Sequence, residues 1–517
     1  MIQLEDLIQD IGECGRYQVI LGLIVHSMKC VACFSTFLMV YGAVTPDWWC
    51  VHDIGGLANY TSEEIPSKAC SLGNGTAPCT HFKFEDTAHT VVTKWNLVCD
   101  NDWVPSTITS LQMAGVFVGN VACGHVADLV GRKPPFFLAL LTLIISNVIA
   151  AFSTSWIMFA VLRFFIGLGI GFQFTVQYNI VSEFTLARWR TWIVAMPSWA
   201  IEVTIFALVS WLVNDWQRLH FVTAAIGVPF LAAYWFVPES FRWYVSHNRI
   251  KDAENVIKRV ARVNGKQPPD MSIISQMDMS VTSQLKDRKY SLFDVLKNKN
   301  SRKYTLLLAF VWMTLGLAEY GMQFGLSALS GNIYINMFVI GLIGSPAQLI
   351  QIPLQNRFGR KKTATLFFVI CAVFAFVVAI THYFPETKVR NQLSNVAAIV
   401  SLTAINACWS PIQTLTIELY PTVVRNIGYG FLNTMARLGA IIGPQLVFLD
   451  TKVAGMMYWI CGVTAVVSIF VLLPIPETRG VDLTDKLNKT DRVKAAMGKT
   501  VEMEVLHKES FSSSTEL

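Results

Sequence analysis

The sequence predicts an all-α membrane protein: twelve transmembrane helices arranged as two six-helix bundles that repeat one another. Three observations predict it. The 517-residue chain is 53% hydrophobic and only 15% charged, with a mean hydropathy of +0.45, whereas a soluble chain carries about 25% charged residues. Its apolar residues gather into twelve runs, each close to the ~20 residues that cross a bilayer as a helix. Three short polar motifs between runs of the first half return between runs of the second. The net charge of +6 does not point to nucleic acid, because the basic residues lie between apolar runs, where membrane topology accounts for them.

The runs fall at 19–43, 105–123, 135–153, 156–178, 191–213, 219–237, 304–326, 332–354, 364–383, 394–416, 427–449 and 454–475. Residues 1–18 are polar and lack the apolar core and small-residue cleavage site of a removable signal. They read as a cytoplasmic N-terminus, with the first run as an uncleaved anchor. The expected organisation is then a first bundle over 19–237 with an extracellular loop at 44–104, a cytoplasmic loop at 238–303, a second bundle over 304–475 and a cytoplasmic tail at 476–517. Lys and Arg placement agrees. The inside connections hold Arg132, Lys133, Arg188, Arg190, Arg357, Arg360, Lys361, Lys362 and Arg425, and the long central loop adds many more; the outside connections are sparse in basic residues.

The 44–104 loop carries Cys50, Cys70, Cys79 and Cys99. Four cysteines in one extracellular loop predict two disulfides, with three connectivities open. The same loop holds two glycosylation sequons, at Asn59 and Asn74; a third match, at Asn488, lies on the cytoplasmic tail and should stay unmodified.

The repeat is read from three pairs of features. Gly131-Arg132-Lys133 returns as Gly359-Arg360-Lys361. Glu183 with Arg188 and Arg190 returns as Glu418 with Arg425. Pro238-Glu239-Ser240 returns as Pro476-Glu477-Thr478. Three pairs in register indicate parallel repeats of a carrier. Asp128, Arg132, Glu183, Arg188, Arg190, Glu239, Arg242, Arg360, Glu418, Arg425 and Glu477 are candidate gating residues: acids and arginines at the cytoplasmic helix ends pair while the inner side is shut, and opening breaks the pairs. The plainer alternative is that the arginines only set topology.

With these motifs in view, the chain resembles a known group. Gly124-His-Val-Ala-Asp128-Leu-Val-Gly131-Arg132-Lys133-Pro134 is similar to the loop between helices two and three of the major facilitator superfamily. Arg163-x3-Gly167-x-Gly169-x-Gly171 is similar to its helix-four motif. Trp95-Asn-Leu-Val-Cys99, Pro238-Glu-Ser-Phe-Arg242-Trp243, Glu418-Leu-Tyr-Pro-Thr-Val-Val-Arg425-Asn426 and Gly12-x2-Gly15-Arg16-Tyr17-Gln18 resemble solute carrier family 22, the organic cation, anion and carnitine transporters. The resemblance implies the major facilitator fold, a plasma-membrane location and transport of small organic ions by alternating access through one central site. It implies no cofactor; a coupling ion, sodium or proton, is left open. It also implies a structural or coupling role for Arg163.

Four ionisable residues fall well inside runs: Lys29, Glu202, Glu319 and Arg437. A charge at that depth is costly and marks a functional site. In the resembled family the position of Arg437 tends to be acidic in cation carriers and arginine in anion and carnitine carriers. An arginine suits a carboxylate; the alternative is an internal salt bridge to Glu319. Two departures complicate a simple anion reading. Gln348 stands where anion carriers typically have lysine, and Glu319 where they tend to have tyrosine. The acid that cation carriers tend to have is here Gly344. Glu319 with Arg437 therefore points to a zwitterion of the carnitine type. Lys29 either snorkels or faces the site, and Glu202 is a pocket acid or the partner of Lys29. Tyr320, Phe324, Trp409 and Tyr178 are candidate site aromatics, able to hold an ammonium group by cation–π attraction, although most such rings only pack.

Residues 249–262 show helical amphipathic spacing and should lie against the cytoplasmic face or inner leaflet; 266–290 reads as a connection. The tail ends Thr515-Glu516-Leu517, a fit to a PDZ-domain scaffold. No nucleophile constellation, phosphate loop or metal cluster points to an enzyme. The alternatives to a zwitterion or anion carrier are an organic cation uniporter and, in another class, a non-transporting membrane receptor or scaffold.

Overall fold

Helix starts in this chain are written in side chains. Ser155, Asp215, Asn332 and Thr387 each place an oxygen on a first-turn N–H, accepting from Met158 (3.2 Å), Arg218 (2.9 Å), Tyr334 (2.9 Å) and Arg390 (3.2 Å). Behind such starts lie the twelve bundle helices of a computed structural model, with shorter helices between and before them. It describes residues 4–51, 70–72, 77–79, 81–85, 88–186, 189, 198–268, 292–297, 299–329, 331–420 and 424–479. The helices are α1 (Arg16–Gly42), α2 (Val104–Val130), α3 (Lys133–Ala151), α4 (Trp156–Glu183), α5 (Ser198–Val213), α6 (Trp216–Leu231), α7 (Lys299–Phe324), α8 (Ile333–Phe358), α9 (Arg360–Thr381), α10 (Lys388–Leu419), α11 (Arg425–Lys452) and α12 (Met456–Leu472). Among the described residues, nine helices are long and apolar enough to cross a membrane, and α5 and α12 are shorter apolar ones. Exposed side chains such as Leu212 (73%) and Phe470 (64%) give the bundle an apolar outer surface suited to lipid.

Small residues let helices of one half approach to backbone contact. A Cβ on Gly115, Gly167 or Gly171 would run into carbonyl oxygens of Phe164, Gln112 and Val116, so α2 and α4 touch along their backbones. Gly316 and Gly439 do the same for α7 and α11 against Ala436 and Met313. The helix-four glycines are thus packing residues. Arg163, fully buried beside them, donates to Ser35 O (3.0 Å) and to Gln112 Oε1, holding helices together through a backbone carbonyl.

The two halves meet along two seams, α2 against α11 and α5 against α8. The end that carries the cysteine-rich segment is here called the loop end; the opposite one, with the Gly-Arg-Lys turns, the turn end. At the loop end Asp102 pairs with Lys452 (2.6 Å), Tyr334 Oη donates to Asn214 Oδ1 (2.6 Å), Tyr334 stacks on Tyr41, and Ser110 donates to Ile441 O (2.8 Å). Halfway along, Gly341 of α8 is pressed against Ala200 and Thr204 of α5. Toward the turn end the α2–α11 seam opens: beside Gly124 and Gly430 there is free space.

The loop at the loop end contains short antiparallel pairs, β1 (Trp48–Val51) with β4 (His81–Phe84) and β2 (Ser71–Leu72) with β3 (Ala77–Pro78). An all-α reading omits these strands, which are too short to pattern. Of the three open connectivities, the disulfides are Cys50–Cys79 and Cys70–Cys99. At the turn end the predicted amphipathic helix spans Ile250–Val263, with Ala253, Ile257, Val260 and Ala261 buried. Its buried face packs on the turn end of the bundle. Its cap residue Asn264 donates to Ile11 O (2.7 Å) and Gln18 Oε1 (3.0 Å) and accepts from Tyr17 N (2.8 Å), which fastens the helix to the start of α1. Arg188, Arg190, Asn59, Asn74, Asn488 and Thr515–Leu517 lie outside the described residues.

Candidate functional site

Arg437 stands on α11 where the α2–α11 seam stops being closed. It is half-buried. Its Nη1 donates to Tyr320 Oη (3.1 Å), and the guanidinium lies 5.7 Å from the centre of the Phe174 ring. With the Asn120 amide oriented to satisfy its neighbours, Nε donates to its oxygen (2.9 Å). The arginine therefore joins the halves: Asn120 and Phe174 come from α2 and α4, Tyr320 from α7. It does not face lipid, and among the described residues no acid lies within 4.0 Å of it.

Glu319, one residue before Tyr320, turns the other way. Its Oε2 accepts from Trp409 Nε1 (2.6 Å), so the internal salt bridge with Arg437 is not made in this conformation. The two charges stay near enough to act on each other. Tyr320 stacks on Phe324 (6.2 Å, 27°), Phe324 approaches Phe37 (6.4 Å), Phe37 meets Trp199 (5.4 Å) and Trp199 meets Phe174 (5.5 Å). Rings from α1, α4, α5 and α7 thus form a circuit that returns to Arg437. Trp199 also lines a cleft between the halves with Gln323, Gln348, Thr403 and Asn406. Tyr178 lies one helical turn beyond Phe174 on α4, toward the opening, and is 42% exposed.

Lys29 and Glu202 take a different place. Lys29 is buried and does not snorkel. Its Nζ donates to Ser198 Oγ (2.5 Å), lies 3.7 Å from Glu202 Oε1 and sits over the Trp199 ring (5.5 Å). The two pair with each other behind the tryptophan that lines the cleft.

The repeated motifs form two clusters with matching contacts at the turn end. Glu239 accepts from the backbone N–H of Arg132 (2.8 Å) and Lys133 (3.1 Å), at the start of α3. Glu477 accepts from Arg360 N (2.8 Å) and Lys361 N (3.1 Å), at the start of α9. A carboxylate there meets unpaired donors and the positive end of the helix dipole. Gly131 (φ 97°) and Gly359 (φ 98°) make the turns, and a Cβ at either would strike the capping carboxylate. Arg132 Nε pairs with Glu183 (3.1 Å), Arg360 Nε with Glu418 (3.1 Å), and Arg132 with the exposed Asp128 (3.2 Å). Arg242 Nε donates to Glu183 O (3.2 Å) and Arg425 Nε to Tyr420 O (3.4 Å). In this conformation each of these pairs joins elements of a single half, and the expected gating role would require the pairs to break as the halves move. They brace each half as a unit.

Sequence reasoning missed Asn120, Phe174, Trp199, Gln323 and Asn406. Asn120 carried a signal, a polar residue in mid-span. The rings carried none, since one aromatic among many does not announce which way it points.

Residues 53–487 match the sugar (and other) transporter family. The chain belongs to this family. As a family member it is a membrane transporter and not an enzyme. Among its sequence relatives, organic cation/carnitine transporter 2 of Mus musculus is 29% identical over 409 residues, covering 78% of this chain and 72% of the relative. Solute carrier family 22 member 21 of Mus musculus is 29% identical over 418 residues, with the same coverage. The organic cation transporter protein of Drosophila melanogaster is 27% identical over 512 residues, covering 92% of each. Among solved structures, the xylose transporter XylE from E. coli superposes with a TM-score of 0.63 in an inward-open conformation and 0.65 in a partially occluded inward-open one. Each covers 90% of this chain and 98% or 100% of XylE, at 15% identity. That likeness fixes the fold: two six-helix halves of the major facilitator type.

Proposed function

We propose that this transporter carries small zwitterionic or anionic organic ions of the carnitine type. The observation that carries the reading is Arg437: a guanidinium at the apex of the turn-end opening, held in place by Tyr320 and Asn120 yet unneutralised by any acid within 4.0 Å among the described residues. Its remaining N–H groups suit a carboxylate. Glu319 and the aromatic circuit suit an ammonium at the other end of the same solute. The halves, each braced by its own capping clusters, rock about the α2–α11 and α5–α8 seams and expose the site to one side and then the other.

The disulfide-bonded loop fits an extracellular loop end and a plasma-membrane location, with both termini in the cytoplasm and Thr515–Leu517 available to a PDZ-domain scaffold. A second reading, uniport of organic cations alone, has Glu319, Trp409 and the rings in its favour, together with relatives whose names specify organic cations. Uptake by proteoliposomes separates the two. Labelled carnitine should enter saturably and be displaced by other trimethylammonium carboxylates more effectively than by tetraethylammonium. Preferential entry of tetraethylammonium, unaffected by carboxylates, would reverse the assignment.

A further inference from the structure

We propose that Lys29 and Glu202, with Ser198 and His26, form a proton-binding site whose occupancy is coupled to solute movement; this rests on the transport reading above. The four residues are buried, with exposures of 3% for Lys29, 5% for Glu202, 8% for Ser198 and 7% for His26. The ion pair is only half made. Lys29 gives its hydrogen bond to Ser198, and its 3.7 Å distance to Glu202 is beyond hydrogen-bond reach. Neither Glu202 oxygen has a hydrogen-bond partner among the described residues. A buried carboxylate without donors is costly as an anion and is relieved by taking up a proton. Lys29 has contacts besides Glu202, its Ser198 bond and the Trp199 face.

A path and a reason for coupling are also present. Ser198 Oγ lies 3.1 Å from His26 Nδ1 as well as 2.5 Å from Lys29, a chain of exchangeable groups of the kind that relays protons inside membranes. Trp199 links this cluster to the solute site: Lys29 lies over its ring, and the same ring belongs to the aromatic circuit that returns to Arg437. Helix α5, which carries Ser198, Trp199 and Glu202, also makes the Gly341 contact that seals it against α8. Rocking at that seam alters water access to both sites together. Among the described residues, the titratable groups facing Glu202 are Lys29, His26, Cys30 and Cys33, all from α1. Helix α8 has no charged side chain before Arg357, and from α6 His220 is held by Asn147 (2.7 Å). The cycle is a protonation: the Glu202 carboxylate gains H+ from one compartment, becomes the neutral acid, and after the halves have moved loses that H+ to the other, while Lys29 keeps its own.

The test is transport of labelled carnitine by the full chain in voltage-clamped proteoliposomes, with a pH gradient imposed in each direction and counterflow exchange measured beside it. One polarity should drive accumulation above equilibrium, up to about tenfold per pH unit for one proton per solute. Glu202→Gln should abolish that accumulation and leave counterflow running. Wild-type uptake that merely equilibrates under both polarities, with counterflow intact, overturns the proton site and leaves the solute reading standing; absence of counterflow removes both. Full gradient drive in Glu202→Gln overturns the assignment to this cluster. If that variant fails to insert, a pH-sensitive dye trapped with wild-type protein decides: solute entry must change the internal pH, and a silent dye refutes coupling.

Discussion

Replacing Arg437 by glutamine should separate charge recognition from everything else the site does. A guanidinium has five N–H donors. Two are engaged, by Tyr320 Oη and the Asn120 oxygen, which leaves three for a solute. Two of them can meet a carboxylate side by side. A hydrogen bond to a charged group contributes about 1.5–3 kcal/mol, so two give roughly 3–6 kcal/mol before screening. Arg437 is only half-buried, so screening is substantial and the low end applies. About 3 kcal/mol is on the order of a hundredfold in affinity, at 1.4 kcal/mol per tenfold. The assay is inhibition of labelled uptake by carnitine and by its neutral amide, which keeps the ammonium and the shape. Arg437→Gln should weaken the carboxylate about a hundredfold and the amide less than about threefold. Equal weakening of both would mean that the arginine shapes the site without reading the carboxylate.

Glu319→Gln should act at the other end, weakening trimethylammonium solutes about tenfold while a simple carboxylate binds as well as before; inhibition constants for the two classes measure it. Glu239→Gln and Glu477→Gln should each remove about 2 kcal/mol of stability by discharging a helix cap, seen as lower melting temperatures of similar size because the two clusters match. Asp102→Asn breaks a partly exposed pair worth about 0.2–1 kcal/mol. It should therefore raise loop-end opening by no more than about fivefold, followed by the distance between spin labels on the loop ends of α2 and α11.

Much of the fold was legible because hydrocarbon allows few solutions: twenty apolar residues in a row must be a helix, and Lys and Arg mark the turns between. The repeat was legible for a local reason, since Gly131 and Gly359 need a positive φ and Glu239 and Glu477 cap the helices that start at those turns. What the capping clusters join was not legible. Spacing along the chain says that Arg132, Glu183 and Glu239 recur as Arg360, Glu418 and Glu477, but only the packing shows that each trio stays inside its own half. The site was legible charge by charge and not as an assembly. Arg437 and Glu319 stood out against an apolar background, yet the sequence left open whether they pair. Lys29 and Glu202 stood out equally and turned to each other behind Trp199. Phe174 and Trp199 close the aromatic circuit and were lost among many rings.

Solute recognition turns on Arg437 meeting a negative end. A cryo-EM map of the protein saturated with carnitine tests this most directly. The carboxylate should lie about 2.7–2.9 Å from the Arg437 guanidinium, with the trimethylammonium group against the aromatic circuit and Glu319. Density with the ammonium end at Arg437, or a solute bound without touching it, would contradict the account.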